Sequence, residues 1–239
     1  PSTRTRLSFE AAMQRLGGGV ISVAEAKTAS SVVKGESLPD TIRTIAQYAD
    51  AIVLRHSEIG AAQVAAKASH VPIFNAGDGA GEHPTQALLD LYTIRGEKKT
   101  IDGLRVALVG DLKNGRTVHS LARALSNFKV EFSFVAPAAL SMPIDVSDYL
   151  RARHFIVEET NDLARCLQKA DVVYMTRVQK ERFTDLDVYE RVKHAYIITP
   201  EIMKRLNKDA ILMHPFPRVG EIATEVDSDA RAVYLTRQI

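Results

Sequence analysis

Cysteine is almost absent from this sequence of 239 residues, since Cys166 is the only one. A single cysteine excludes an internal disulfide framework and a cysteine-based zinc site. Charge of one sign is also scarce, because 31 Lys and Arg residues against 29 Asp and Glu residues leave a net charge of only +2. That balance does not supply the broad basic face that a nucleic acid or an anionic membrane requires. No apolar run approaches the roughly 20 residues of a membrane-spanning helix.

Hydrophobic residues make up 46% and charged residues 25% of the chain, which is typical of a soluble globular protein. Short apolar runs alternate with helical patterns, and this alternation predicts an α/β fold. The patterns predict helices over 7–16, 40–48, 61–68, 84–95, 117–125, 148–153 and 162–169. They predict strands over 19–23, 51–54, 71–74, 106–109, 130–135, 172–175, 196–198 and 211–213.

Several of the predicted strands are continuously apolar, as strands of a parallel sheet buried on both faces are. The charged residues 97–99 separate two series of strands and helices. We therefore expect two open parallel-sheet α/β domains, residues 1–98 and 99–239, with the active site in the cleft between them. Residues 25–37 have no clear period, and a loop of that length is often functional.

Arginine recurs where the predicted strands end. In parallel sheets, ligands bind outside the carboxyl ends of the strands. The segments at these positions are Arg55 with His56, 75–83, 110–116, 176–179 and 214–218. Because basic side chains recur there and acidic ones do not dominate, we expect the site to bind an anion, and in particular a polyanion.

Residues 2–6, Ser-Thr-Arg-Thr-Arg, directly precede a predicted helix. Hydroxyl groups, free N–H groups and the positive end of the helix dipole form an anion site there, to which an arginine adds a bidentate partner. The alternative is an ordinary helix cap with solvated arginines. Residues 83–86 place His83 before a proline at the first position of a helix, where it can donate to a carbonyl oxygen. A loop histidine without a role in binding is the alternative.

The glycines of residues 75–81 do not have the spacing of a dinucleotide-binding loop, because Glu82 stands where the third glycine would be. Gly110 is likewise not followed by a glycine triplet. Both segments are predicted to be tight turns, which excludes a nucleotide-dependent oxidoreductase. Residues 177–182 are either a solvated charge run or, with Arg116, a clamp for a dicarboxylate. In residues 214–218, the Phe216-Pro217 bond is a candidate cis peptide.

The motifs, in order, resemble those of the catalytic chains of aspartate carbamoyltransferases over nearly the whole sequence. They are residues 1–6, 34–36, 55–56, 83–86, 110–117, 174–182 and 214–218. The first and fourth are shared by all carbamoyltransferases, whereas the last two distinguish enzymes for aspartate from those for ornithine. Phe216 stands where the family often has Leu or Met, in a role that uses only a backbone carbonyl.

The resemblance implies a role for each matching residue. Ser2, Thr3, Arg4 and Thr5 would hold the phosphate of carbamoyl phosphate, and Arg55 would bridge that phosphate and the carbonyl oxygen. Thr5, Arg55 and His83 would polarise the carbonyl. Gln86 and the carbonyls of Pro215 and Phe216 would accept the carbamoyl NH2. Arg116, Arg177 and Gln179 would seat the aspartate carboxylates, and Ser30 and Lys34 would reach the site of a neighbouring subunit.

The implied activity is transfer of a carbamoyl group from carbamoyl phosphate to L-aspartate in pyrimidine biosynthesis, by a cytoplasmic homotrimer with shared sites. No metal, organic cofactor, nucleic acid or membrane is expected to take part. The sequence leaves open whether regulatory chains or fused domains accompany the chain. Family chains extend beyond both ends of this sequence, so we expect segments outside it. The alternatives are a carbamoyltransferase for another acceptor, such as ornithine, and a non-catalytic anion-binding regulatory module.

Overall fold

The structure is a computed structural model that describes residues 3–23, 34–79 and 81–238. The chain divides into two compact units, Pro1–Thr85 and Gln86–Ile239. The helices are α1 (Thr3–Arg15), α2 (Leu38–Ile45), α3 (Ala61–Ala68), α4 (Pro84–Lys98), α5 (Arg116–Leu125), α6 (Ile144–Ala152), α7 (Leu163–Leu167), α8 (Leu186–Val192) and α9 (Pro200–Met203). The strands are β1 (Ile52–His56), β2 (Ile73–Asp78), β3 (Arg105–Val109), β4 (Glu131–Val135), β5 (Val157–Thr160), β6 (Val172–Met175) and β7 (Ile211–Met213). Within these described ranges, no helix is long and apolar enough to cross a membrane.

The first unit contains a two-stranded parallel sheet. Strands β1 and β2 pair with Ile52 opposite Ile73 and Leu54 opposite Asn75. Ile42 of α2 and Ala65 of α3 pack with Ile52 into a small hydrophobic cluster. The parallel pairing brings the carboxyl ends of both strands, at His56 and Asp78, to the same edge.

The second unit contains a five-stranded parallel sheet in the order β5-β4-β3-β6-β7. Every residue of β6 and β7 is buried, as the continuous apolar runs predicted. Alternate residues of β3 belong to different clusters, with Val106 and Leu108 in one and Ala107 and Val109 in the other. The sheet is therefore covered on both faces.

The chain reverses its direction across the sheet between β3 and β6. From β3 it continues outwards through β4 to β5, and it then returns to place β6 on the other side of β3. Such a switch point is where open α/β sheets bind ligands, because the connections leave the two neighbouring strands on opposite faces. The segments after Val109 and Met175, which are paired residues, meet there.

Each predicted helix has an observed counterpart, and two strand predictions are wrong. Residues 19–23 form no strand in the described chain, and Ile21 is 78% exposed, so its apolar sequence has no partner strand to pack on. In residues 196–198, only Ile198 forms an isolated bridge, to Ile222. Residues 3–6 form the first turn of α1 instead of preceding the helix. Strand β5 was missed because it pairs on one side only and contains Glu158 and Glu159.

Asp90 of α4 is a fully buried carboxyl group in the second unit. It accepts hydrogen bonds from Tyr174 Oη at 2.7 Å, Gln238 Nε2 at 2.8 Å and Gln86 Nε2 at 3.0 Å. Burial raises the pKa of Asp90 to about 7, although the three donors oppose that shift. Asp90 thus holds together the helix, the centre of the sheet and the C-terminal segment at a cost in desolvation.

We expect Asp90 to make the stability of the protein depend on pH between about 4 and 7. The pKa of Asp90 is higher in the folded chain than its usual value of 3.8. Asp90 therefore contributes most to stability when the pH is below 3.8. This contribution is lost as the pH rises through about 7. We expect urea unfolding to show that the free energy of unfolding of the wild type, minus that of Asp90→Asn, falls by up to about 1.4 kcal/mol for each unit by which the pH rises over this range.

Asp148→Asn is the matched control, since its side chain is 64% exposed on α6. If the difference in free energy of unfolding between the wild type and Asp90→Asn did not change with pH, the raised pKa of Asp90 would be contradicted.

Candidate functional site

Three of the predicted site residues lie together in the first unit. The Nη1 group of Arg55, at the end of β1, donates to Thr5 Oγ1 at 3.1 Å and to the carbonyl of Ala76 at 3.2 Å. The same atom lies 3.4 Å from His83 Nε2. The first turn of α1, the end of β1 and the residue before α4 thus bring a hydroxyl, a guanidinium and an imidazole to one point.

Positive charge is concentrated at this point. Partial burial of the guanidinium and the neighbouring charge of Arg4 lower the pKa of Arg55. Arg4 and Thr3 are exposed in the first turn of α1, where the N-terminal N–H groups of a helix of 13 residues also favour an anion. Ser2, the remaining residue of this motif, lies outside the described residues.

Asp78 fixes the turn that leads to His83. Its carboxylate accepts from Gly60 N at 2.9 Å, from Glu82 N at 3.1 Å and from Asn75 Nδ2 at 3.2 Å. Burial raises the pKa of Asp78, but these hydrogen bonds outweigh burial and lower it overall. The turn itself is tight, because Gly79 has φ +56° and a Cβ there would lie 2.6 Å from the carbonyl of Ser57. His83, immediately before α4, is buried.

In the second unit, the segments after β3 and β6 are tied to each other. The N–H of Asp111 donates to Thr176 Oγ1 at 3.1 Å, and Thr176 Oγ1 donates to the carbonyl of Val109 at 3.0 Å. The N–H of Gln179 donates to Asp111 Oδ2 at 3.4 Å. Gly110 is required at this contact, since it has φ +110° and a Cβ would lie 2.3 Å from the carbonyl of Thr176.

This pairing of segments places two predicted arginines at the switch point of the sheet. Arg116 is the first residue of α5, and its turn is held by Asn114 N, which donates to Asp111 Oδ1 at 2.9 Å. Arg177 directly follows Thr176. Both arginines and Gln179 are half-buried.

The segment after β7 has a fixed backbone. His214 is buried; its Nε2–H donates to Glu221 Oε1 at 2.7 Å, and its Nδ1 accepts from Phe216 N at 2.9 Å. Burial raises the pKa of Glu221, but the hydrogen bond from His214 leads the contributions that lower it overall. Phe216 has φ +53°, and the Phe216-Pro217 bond is cis, as predicted. The hydrogen bonds of His214 hold the backbone that carries the carbonyls of Pro215 and Phe216.

The remaining residues that the sequence indicated lie outside these clusters or have partners within the fold. Lys34 is exposed and lies shortly before α2, and Ser30 is outside the described residues. Arg218 is committed within the fold, because Nη2 pairs with Asp227 Oδ2 at 2.9 Å. Gln86 lies in the first turn of α4 and donates its Nε2 to Asp90. In the described parts of the chain, no group of three or more His, Cys, Asp or Glu could hold a metal.

Residues that support the site were missed by the sequence analysis. Asp78 is the last residue of β2 and Asp111 closely follows β3, and an acidic residue at the end of a strand is a signal which could have identified them. His214 and Glu221 are seven residues apart, and nothing in the sequence pairs them. Asp90 lies in the interior of a helix, and Gln238 is 148 residues away from it.

Comparison with known proteins covers both halves of the chain. Residues 1–96 match the carbamoyl-P binding domain, and residues 102–238 the Asp/Orn binding domain, of aspartate/ornithine carbamoyltransferases. The aspartate carbamoyltransferase catalytic subunit of Methanocella arvoryzae is 57% identical over 98% of this chain and 76% of its own length. The chloroplastic aspartate carbamoyltransferase of Arabidopsis thaliana is 54% identical over 98% of this chain, which spans 60% of that relative.

A solved structure gives the same result. Aspartate transcarbamoylase from Trypanosoma cruzi, in complex with carbamoyl phosphate and aspartate, superposes with a TM-score of 0.92 at 45% identity. The match covers 100% of this chain and 77% of that chain. Both family matches and the identities of these relatives show that this chain belongs to the aspartate carbamoyltransferase family of catalytic chains.

Proposed function

We infer that this chain transfers the carbamoyl group of carbamoyl phosphate to the amine of L-aspartate, giving N-carbamoyl-L-aspartate and phosphate for pyrimidine synthesis. The observation that carries this inference is the cluster of Thr5, Arg55 and His83, in which Arg55 Nη1 lies within 3.4 Å of both partners. It occurs in a chain 45% identical to a Trypanosoma cruzi enzyme that binds both substrates.

Carbamoyl phosphate is proposed to bind through its phosphate at the start of α1. Ser2, Thr3, Arg4 and Thr5 supply hydroxyl, N–H and guanidinium donors there, and Arg55 bridges to the carbonyl oxygen. Burial and, after it, the charge of Arg4 lower the pKa of Arg55, and a dianionic phosphate would relieve the repulsion between the two arginines. Binding of the phosphate and placement of the carbonyl are thereby coupled.

The carbonyl is proposed to be activated by donors and not by a covalent intermediate. Thr5, Arg55 and His83 would face the oxygen on which negative charge develops when the amine attacks. Each preorganised donor of this kind contributes about 2.7 to 4 kcal/mol to the transition state. Holding two substrates in attack geometry contributes about 7 to 11 kcal/mol, so positioning is the larger effect.

Aspartate is proposed to bind at the switch point of the second sheet. Arg116 and Arg177 would each form a two-pronged contact with a carboxylate, and Gln179 would add an amide contact. Oε1 of Gln86 and the carbonyls of Pro215 and Phe216 would accept the carbamoyl NH2. The amine then forms the new C–N bond, the C–O bond to phosphate breaks, and the leaving phosphate accepts the amine proton.

We propose that the active form is a cytoplasmic homotrimer in which Ser30 and Lys34 serve a neighbouring subunit's site. The exposed position of Lys34 supports a role outside its own unit. One buried cysteine is compatible with a reducing compartment. The Arabidopsis relative is chloroplastic, so location is a separate question. Regulatory chains or fused domains would be detected by isolating the native assembly.

A panel of acceptors tests the proposed reaction. With carbamoyl phosphate held constant, we expect phosphate release with L-aspartate and at least about 100-fold slower release with L-ornithine, since two arginines select a dicarboxylate. Phosphate and the carbamoylated product should form in equal amounts. Turnover with ornithine alone would assign another acceptor, and no turnover with any acceptor would favour an anion-binding module.

His83→Ala should lower kcat by about 100-fold or more, because it removes one donor to the developing oxyanion. His70→Ala is the matched control, because it removes an exposed imidazole from the same unit. Steady-state kinetics and an unfolding curve of each variant separate loss of chemistry from loss of fold. Unchanged turnover in His83→Ala would exclude the assigned role.

Mixing inactive Lys34→Ala and Arg4→Ala chains should restore part of the activity. If sites are shared, a hybrid trimer contains some sites with Arg4 from one chain and Lys34 from its neighbour. A mixture of Arg4→Ala and Arg55→Ala is the matched control, because both residues belong to the same half of the site and no intact site can form. Equal inactivity of the two mixtures, after proven exchange of chains, would contradict shared sites.

A further inference from the structure

Asp90 has no place among the groups that would contact substrate, yet it contacts one of them directly. Gln86 and Asp90 are four residues apart on α4 and therefore lie on the same face of the helix. Gln86 Nε2 donates to Asp90 Oδ1 at 3.0 Å. Asp90 is fully buried, whereas Gln86 is half-buried. The nitrogen end of the glutamine amide is thus turned towards the interior.

The hydrogen bond to Asp90 determines the orientation of the side-chain amide of Gln86. Oδ1 of Asp90 accepts from two amide nitrogens, and a proton taken up by Asp90 would reside on Oδ2, beside Tyr174. Oδ1 therefore only accepts, whereas a glutamine amide has a donor end and an acceptor end. Facing Asp90, the amide must present its nitrogen inwards, so Oε1 points away from the carboxylate. An outward Oε1 is the acceptor that the NH2 of a carbamoyl group requires. If the NH2 group of Gln86 pointed outwards instead, it would face the NH2 group of the substrate, and two donors form no hydrogen bond with each other.

The same oxygen of Asp90 also orients the second proposed acceptor. Gln238 Nε2 donates to Asp90 Oδ1 at 2.8 Å, and Gln238 Oε1 accepts from His214 N at 2.7 Å. His214 leads directly into Pro215 and Phe216, whose carbonyls are the other proposed partners of the NH2. Gln238 is held in one amide orientation, because Asp90 takes only its nitrogen and His214 offers only an N–H.

Apolar packing alone does not account for a carboxyl group at this position. Tyr174 and the surrounding apolar residues would pack against an apolar side chain without the desolvation cost of a buried acid. The carboxyl group does what such a side chain would not do, which is to set the polarity of two separate amide groups with one oxygen atom.

We propose that Asp90 is the positioning residue for recognition of the carbamoyl NH2, acting through Gln86 and through the Gln238–His214 link. This inference rests on the proposed function, because it names the group of the substrate that Gln86, Pro215 and Phe216 accept. Asp90 itself contacts neither substrate. Its contribution is to hold three acceptor oxygens, those of Gln86, Pro215 and Phe216, in position for the NH2 group before the ligand binds.

Two phosphonates test the proposal by binding alone. Phosphonoacetamide carries a carboxamide NH2, and 2-oxopropylphosphonate carries a methyl group in the same place. The ratio of their Kd values, measured by calorimetry on the assembled protein, reports recognition of the NH2 group independently of turnover. We expect the wild-type protein to prefer the amide by about tenfold or more, because the methyl group leaves unpaired the acceptors that the bound ligand covers.

Four variants separate positioning from packing. Asp90→Ala should reduce the preference to about threefold or less, because Gln86 can then turn its nitrogen outwards. Asp90→Asn should retain most of it, since the amide can keep an oxygen towards Gln86 and Gln238 while its nitrogen donates to Tyr174 Oη. Tyr174→Phe is the matched control: it removes the hydrogen bond to Asp90 Oδ2, which does not face Gln86, and should leave the preference unchanged. Gln86→Met removes the acceptor and should lower the preference even if Asp90→Ala fails to fold.

A wild-type preference in folded Asp90→Ala or in Gln86→Met would overturn the proposal, as would a wild-type protein that binds both phosphonates equally. Failure of the proposed function gives a different result. A protein that prefers the amide but does not carbamoylate aspartate would retain Asp90 as a positioning residue and lose the assigned reaction. A protein that carbamoylates aspartate without depending on Asp90 for the preference would retain the reaction and lose the positioning role.

Discussion

Parallel pairing of strands is the constraint on which this site depends. The carboxyl ends of two parallel strands lie at the same edge of the sheet, so the residues that follow each strand also lie at that edge. In the first unit this rule brings Arg55 of β1 to within hydrogen-bonding distance of the carbonyl of Ala76 in β2. In the second unit it ties the segments of Arg116 and Arg177 together through Asp111 and Thr176. Arg4, in the first turn of α1, repels Arg55, and an anionic substrate would relieve that repulsion.

Buried acidic residues hold the segments of this site in place. Asp78, Asp111 and Glu221 accept hydrogen bonds from backbone N–H groups and thereby fix the loops that carry the proposed binding residues. Asp90 accepts from side-chain amides and fixes their polarity. A rigid loop presents its donors and acceptors without reorganisation, which is the condition for electrostatic stabilisation of a developing charge.

The parts of the structure that depend on local sequence could be predicted. Continuous apolar runs identified β3, β6 and β7, and the residues after them identified Arg116, Arg177, Pro215 and Phe216 as candidates. Prediction was wrong for residues 19–23, where apolar residues have no partner strand in the described chain. Strand β5 was missed because an edge strand tolerates glutamates on its exposed side. The link between Asp90 and Gln238 could not be predicted, since only the complete sheet brings residues 148 positions apart into contact.

The central claim is that the cations at the strand ends and the first turn of α1 collect two anionic substrates so that an amine meets an activated carbonyl. A crystal structure of the assembled protein with a bisubstrate analogue, in which a phosphonate is joined through an amide to aspartate, tests it most directly. The claim predicts the phosphonate on Arg4, Thr5 and Arg55, the amide oxygen near His83, and the carboxylates on Arg116 and Arg177. An analogue bound without contact to these arginines would contradict it.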